Sequence, residues 1–550
     1  MPTLKKVEKL LKEIEEGFYV VPEIQRSFIW RNTQIRDLVA SIYNNFPIGA
    51  IIYWEITDRF RNEYGYLFRP LAEDLPKENG RYMIIDGQQR LTSLLLVKRG
   101  EIAIRGGKRR IKLFFNPIDE KFELSSKNIQ KNPYWFNVTE VLNAEDELEL
   151  IEERANKYDP ALRKNPQVRK NISKLREMFN TYVVPLIPAE LGDSEDFLST
   201  FEKISDIFVK LNSTGTRINM RDLALALLTA KVRKDIGAPF RQKFEEILKE
   251  LENKKFRVDN ESVLIPVLIR LYLAIATGTT RFNKKTKEEL KKKKGQELLD
   301  FLSEVKKSIN EAVNLLCELG IKSLKSLQSR YLLVPIAFLL YKEVIFPKRI
   351  ISEEFKEELS KWLILASQEK RYTGKLESEL YEDTKTIEEG SGINGLMKNL
   401  EKEYSSSALN ENYENRHITM LLLLYQKLRT KDWDLDKSPR IPEIKEINPD
   451  DLHIHHIFPK EFLERRGYME EWDNVANITI ISSSANKKIE FRDPKEYLKE
   501  LYEVDPELLE KHFIPTDKEL WDINRFSEFL RERRELIKNA IEKELRIKVK

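Results

Sequence analysis

The sequence predicts an α+β, multidomain chain: a mixed α/β region first, a helical middle, and a C-terminal segment in which a histidine-rich extended run is embedded in helices. Three observations carry this expectation. The chain has 550 residues, well beyond the roughly 100–150 that one ordinary core holds. Up to about residue 235 short apolar runs alternate with helical periodicity, and from 236 to about 430 nearly every segment reads as amphipathic helix. Three of the five histidines then fall within four positions, in DLHIHHIFP (451–459). The expected domains are therefore 1–235, 236–430 and 431–550, the last with its core at 450–500.

Composition narrows the setting. The single cysteine, Cys317, cannot form an intramolecular disulfide, and MPTLKKVEKLLKEIEEG at the start has no apolar signal-peptide core. The longest apolar run, YLLVPIAFLLY (331–341), is shorter than the roughly 20 residues that span a bilayer. A cytoplasmic protein with no membrane partner is expected. Charged residues make up 34% of the chain for a net charge of only +4. Such interleaved signs argue against a uniform polyanion-binding surface and leave room for a local basic cleft. Abundant Lys, Glu and Ile with few Met suits a thermophile.

Taken in order, helical periodicity covers 33–45 and 88–98, and AIIYWEI (50–56) and RYMII (81–85) read as short buried strands. A helix near 195–211 breaks at NSTG (212–215) and resumes over 219–231. IRLYLAI (269–275) and MLLLLY (420–425) are the most apolar helical stretches. The lysine run at 284–294 reads as a solvated helix face rather than a phosphate-contacting stripe. The charged, proline-bearing segment 430–450 reads as a linker, and no internal repeat is visible.

Two constellations carry chemistry. In IIDGQQRLTSL (84–94) an apolar strand passes through Asp86 and Gly87 directly into a helix. Such a junction aims backbone N–H groups and the positive helix end at one point, which favours a phosphate. Arg90, Gln88 and Gln89 add donors. One glycine does not make a Walker loop. Upstream, VPEIQRSFIW (21–30) supplies Gln25 and Arg26; taken alone, Phe28 and Trp30 read as core and Arg26 as a surface ion-pair former.

In the second constellation, His455 and His456 on an extended segment point to opposite sides. His455 and Asn486 can then hold a divalent cation while His456 takes a proton from water and Asn477 orients it, the division of labour that metal-assisted phosphodiester hydrolysis needs. Magnesium or manganese suits sparse N/O ligands, with zinc as the alternative. His453 shares a strand face with His455 by period two and is a supplementary ligand candidate. Lys487 is a candidate contact to the scissile phosphate. The plain structural reading makes these histidines polar members of a helical bundle, which their clustering disfavours.

PEIQRSFIW (22–30), NFPIGAIIYWE (45–55), IIDGQQRLTSLLL (84–96) and IFVKLNSTGTRINMRDLALALL (207–228) together resemble the DGQQR nucleotide-hydrolysing domain, a ParB-like fold of GmrSD-type modification-dependent restriction enzymes. The resemblance covers about 1–235 and implies an NTP, whether GTP, ATP or another, held by Asp86, Gly87, Gln88, Gln89, Arg90 and Thr92, with Gln25 and Arg26 converging on it; Asn212, in the matching NSTG string, is an additional candidate with no role assigned. HHIFP (455–459), WDNVANITII (472–481) and SANKK (484–488) similarly resemble an HNH endonuclease in the version fused to DGQQR domains. That implies a ββα-metal finger, with Asn486 in place of the final histidine. Together the resemblances imply a nucleotide-regulated, metal-dependent DNA endonuclease of an anti-phage defence system acting on modified phage DNA. Symmetric double-strand cutting would call for a homodimer. The alternatives are a ParB-like DNA-binding switch with a structural finger, which bound zinc would mark, and an RNA-directed nuclease of the same type.

Overall fold

The computed structural model describes residues 2–22, 28–65, 68–76, 79–104, 107–190, 203, 220–252, 256–258, 263–401, 403–436, 438–464, 467, 471–490 and 492–550. They form two compact units, Met1–Ala230 and Lys231–Lys550. The expected helix at 195–211 and the NSTG turn, with Asn212, lie outside the described residues, except Lys203, which is helical. Gln25 and Arg26 also lie outside them.

The N-terminal unit opens with β1 (Thr3–Lys6), α1 (Val7–Glu15), β2 (Tyr19–Pro22), α2 (Asn32–Tyr43), β3 (Ile51–Glu55), α3 (Asp58–Tyr64), β4 (Phe68–Pro70), β5 (Tyr82–Asp86) and α4 (Gln88–Arg99). A mixed six-stranded sheet runs in the order β1, the later strand Val183–Pro188, β3, β5, β2, β4. The strands expected at 50–56 and 81–85 are β3 and β5, paired antiparallel with Tyr53 opposite Ile84. The helices expected at 33–45 and 88–98 are α2 and α4. α1 and α2 each bury one apolar stripe, Val7, Leu10, Leu11 and Ile14 in the first and Ile35, Leu38, Val39 and Ile42 in the second. In α4 the run Leu94 to Val97 is buried throughout, as in a helix enclosed on most sides by its unit. The sheet and α4 together hold the Asp86–Gly87 turn in place.

The second unit is mostly helical. Its most apolar helix, Ile265–Thr277, packs against Gly295–Glu318 and Leu333–Leu340. The lysine run forms the helix Lys284–Lys292, with Thr286 and Leu290 turned inward, Lys291 paired to Glu288 and Lys293 to Glu297. Regions 236–430 and 431–550, expected as separate domains, lie in this one unit. The reason is direct bonding between them. Tyr425 of the helix Asn415–Leu428 hydrogen-bonds Thr479, and the final strand Lys548–Val549 pairs with Glu403–Tyr404. The segment 430–450 is correspondingly no free linker. The buried Asp432 accepts the backbone N–H of Ser482 at 2.9 Å, and the backbones of Lys431 and Glu443 pair in an isolated antiparallel bridge. Among the described residues no helix is long and apolar enough to cross a membrane.

His417 and His512 are both buried and neutral. His417 accepts the Glu414 N–H on Nδ1, and burial, reinforced by Arg416, pulls its pKa down to about 4. His512 accepts from Thr479 on Nδ1 and donates from Nε2 to the Lys431 carbonyl, and burial pulls it down to about 3. Both folded-state values lie below the ordinary value of about 6.5, so the unfolded chain takes up protons first as pH falls. Stability is full above about pH 6.5 and drains below it, by roughly 2 kcal/mol per histidine at pH 5. Denaturant unfolding at pH 7.5 and pH 5 measures this; equal free energies at the two pH values would exclude it.

Candidate active site

At the end of β5 the chain turns through Gly87, whose φ of +98° lies in the left-handed region. A Cβ there would sit 2.3 Å from Ile51 Cδ1. Only glycine suits a turn that is both left-handed and pressed against β3. Gly87→Ala is expected to cost about 1–3 kcal/mol, combining backbone strain with a steric clash; a thermal midpoint within a degree of wild type would refute this. Beyond the turn, Arg90 donates from Nη2 to Asp86 Oδ2 at 2.9 Å and from Nη1 to the Ile48 carbonyl at 2.8 Å. Burial lowers the Arg90 pKa, with Asp86 opposing the shift. Gln89 Oε1 accepts the N–H groups of Ile29 and Trp30, at 2.9 and 3.3 Å. Arg109 holds the same segment from the other side, at the Trp30 carbonyl and at Asn32.

The structure therefore brings Asp86, Gly87, Gln89 and Arg90 together, with Gln88 almost wholly buried beside them. Thr92 differs from expectation. It is fully buried, facing the core one turn into α4, and its hydroxyl has no hydrogen-bond partner among the described residues. Arg109 was not singled out from the sequence, because it lies outside the motif and reaches this segment only through tertiary folding.

In the second unit the strand Leu452–His456 pairs antiparallel with Ile478–Ser482, and the short helix Ser483–Ile489 follows at once. The order is strand, strand, helix. His455 stands opposite Thr479 and His456 opposite Ile478. The two rings leave the strand on opposite sides, as alternation requires. His455 is buried against Trp433 and Tyr497. Its Nδ1 lies 2.8 Å from Asn486 Oδ1, so the helix and the strand meet at these two atoms. Burial pulls the His455 pKa down to about 4, with Asn486 opposing, which keeps the imidazole neutral. His455 Nε2 is buried without a hydrogen-bond partner among the described residues.

His456 is half-buried, and its Nε2 lies 3.0 Å from Asp473 Oδ1. Trp472 and Tyr413 flank its ring, with centroids at 5.2 and 6.2 Å. Asn477 does not bond the His456 ring, contrary to the orienting role expected for it. Its fully buried amide accepts the Phe458 N–H at 2.9 Å and donates to the carbonyls of Phe458 and Trp472, at 3.0 and 2.8 Å. It clips the strand end to the loop, and the residue touching the ring is Asp473. His453 is exposed on the strand, opposite Ile481, and Lys487 is exposed beside Lys488, which pairs with Asp436. Neither His453 nor Lys487 bonds His455, His456 or Asn486 among the described residues.

The Nδ1–H of His455 donates to the Asn486 amide oxygen at 2.8 Å; a cation between these two atoms would take the place of that proton, with the ring in its Nε2–H tautomer. Neighbouring ligands on an octahedral cation with bonds of about 2.1 Å lie roughly 3 Å apart. Among the described residues no group of three or more His, Cys, Asp or Glu is gathered to hold a metal. A magnesium- or manganese-type ion takes its remaining positions from water and phosphate, whereas a closed zinc site takes four protein ligands.

Behind the hairpin, the fully buried Arg533 of the helix Phe526–Glu544 donates to the carbonyls of Ala476 and Ile478, at 2.7 and 2.8 Å, and to that of His512 at 3.1 Å. Two of those carbonyls bracket Asn477. Burial lowers the Arg533 pKa to about 10, which still leaves it charged at neutral pH.

Residues 7–229, which include the glycine turn and the bonded Asp86–Arg90 pair, match the family described as GmrSD restriction endonuclease, N-terminal domain. Over nearly its whole length the chain is also similar to the uncharacterized protein MJ0686 of Methanocaldococcus jannaschii, with 23% identity over 574 residues, covering 95% of this chain and 93% of that one.

Proposed function

We propose that this protein is a nucleotide-regulated, metal-dependent DNA endonuclease of an anti-phage defence system. The observation that carries the reading is the strand–strand–helix unit that sets His455 against Asn486 on one side and presents His456 on the other. The GmrSD restriction-endonuclease match at the N-terminus supports DNA as the substrate and a defence role.

In this reading His456 accepts a proton from water as its oxygen attacks phosphorus, and the P–O bond to the leaving sugar oxygen breaks. His455 and Asn486 hold the divalent cation, which when bound supplies electrophilic stabilisation of charge on the phosphate and the leaving oxygen. Asp86, Arg90 and the N–H groups at the start of α4 hold the NTP phosphates, and hydrolysis there licenses cutting. Engagement of a phosphate by Arg90 would loosen its bond to Asp86, which gives the site a way to register the nucleotide.

The test is cleavage of plasmid and of modified phage DNA with magnesium or manganese, with and without each NTP. Metal-dependent products that change with NTP support the reading, and no cutting under any condition overturns it. Asp86→Ala is expected to lose at least about 10²-fold in NTP hydrolysis and to shift DNA cleavage in parallel. If hydrolysis fell and cleavage stayed the same, the coupling would be excluded.

A further inference from the structure

We infer that Asp473 is the positioning residue of the His456 site: it holds the ring as the Nε2–H tautomer and leaves Nδ1 as the nitrogen that takes a proton. This rests on the reading of His456 as general base. A carboxylate can only accept a hydrogen bond, so the 3.0 Å contact between His456 Nε2 and Asp473 Oδ1 places the ring proton on Nε2. His456 Nδ1 has no partner among the described residues.

The carboxylate is held in place by backbone. The Asp473 carbonyl accepts the Tyr413 N–H at 3.0 Å. Asn477 fixes the preceding carbonyl, that of Trp472, while its other bonds hold Phe458, two residues beyond His456. Strand end and loop are thus tied through one amide, which sets the separation of ring and carboxylate. Trp472 and Tyr413 flank the ring, so a flip that exchanged its nitrogens would have to proceed between them and would forfeit the Asp473 bond. When Nδ1 takes the water proton, the imidazolium keeps its Nε2–H on Asp473, the hydroxide oxygen bonds phosphorus, and the departing sugar oxygen is protonated by solvent. The carboxylate of Asp473 faces the charge that forms on the ring.

The experiment is nitrogen NMR of the full-length chain labelled with 15N-histidine at neutral pH. With five histidines in the chain, the His456 signals are identified by their loss in His456→Gln. The expected wild-type result is a protonated Nε2 and an unprotonated Nδ1, giving way to a tautomer mixture in Asp473→Ala. An Nδ1–H tautomer in the wild type, or an unchanged one in Asp473→Ala, overturns the inference. Asp473→Asn keeps the shape of the side chain and guards against a misfolded variant. For cleavage, Asp473→Asn is expected to lower kcat about 10- to 100-fold with KM for DNA held within about twofold, and Asp473→Glu to recover part of the loss. An unchanged kcat in Asp473→Asn overturns the inference. A wild-type chain that cleaves nothing defeats the nuclease reading instead, and the NMR spectra still decide the tautomer.

Discussion

His456→Ala is expected to lower the rate of metal-dependent DNA cleavage at least about 10²- to 10⁴-fold, the span that a positioned general base supplies, while the protein stays folded. The ring sits at the end of its strand with 24% of its side chain exposed, and its polar partner among the described residues, Asp473, is 27% exposed. Removing it leaves neither a closed cavity nor a buried unpaired charge, so the unfolding free energy should move by less than about 1 kcal/mol. The neighbouring position is a poorer test. His455 is enclosed by Trp433 and Tyr497, and its truncation would disturb packing and the Asn486 contact together. Plasmid cleavage and denaturant unfolding of the same His456→Ala preparation check both halves of the expectation. Retained cleavage removes His456 from the mechanism.

Arg533→Met should have the opposite signature, a large loss of stability of about 3–5 kcal/mol with cleavage failing as a consequence. The guanidinium is a planar fork with five donors. Here it serves three backbone carbonyls, those of Ala476, Ile478 and His512. Methionine fills much of the same volume and donates nothing, so those carbonyls lose its N–H groups. The hairpin strand Ile478–Ser482 and the Asn477 clip should loosen first. Denaturant unfolding gives the magnitude, and amide hydrogen exchange over 475–482 gives the location. A loss under about 1 kcal/mol, or exchange that accelerates elsewhere and not there, would show that Arg533 does not hold the hairpin.

Much of the local fold was legible in the sequence. The strands at 51–55 and 82–86 and the helices at 32–43 and 88–99 fall within a residue or two of the expected bounds, because each rests on periodicity and turn residues that act over a few positions. Alternation along an extended segment likewise sent His455 and His456 to opposite sides. The same reasoning failed at Thr92. Its place beside the DGQQR string suggested a contact, whereas the face it occupies on α4 is buried. It failed differently at Asn477, whose amide bonds the backbone of Phe458 and Trp472.

Torsional preference, periodicity and residue chemistry within short stretches were enough for the local elements, the strand-to-helix junction at Asp86–Gly87, and the histidine pair with a later asparagine. Long-range folding alone makes Asp473, seventeen residues beyond His456, the side chain that hydrogen-bonds its ring, brings Arg533 back to the carbonyls around Asn477, and joins the helical middle and the C-terminal region in one unit. Those outcomes come from buried donors and acceptors finding partners across long loops, a demand that is met only when the chain closes on itself.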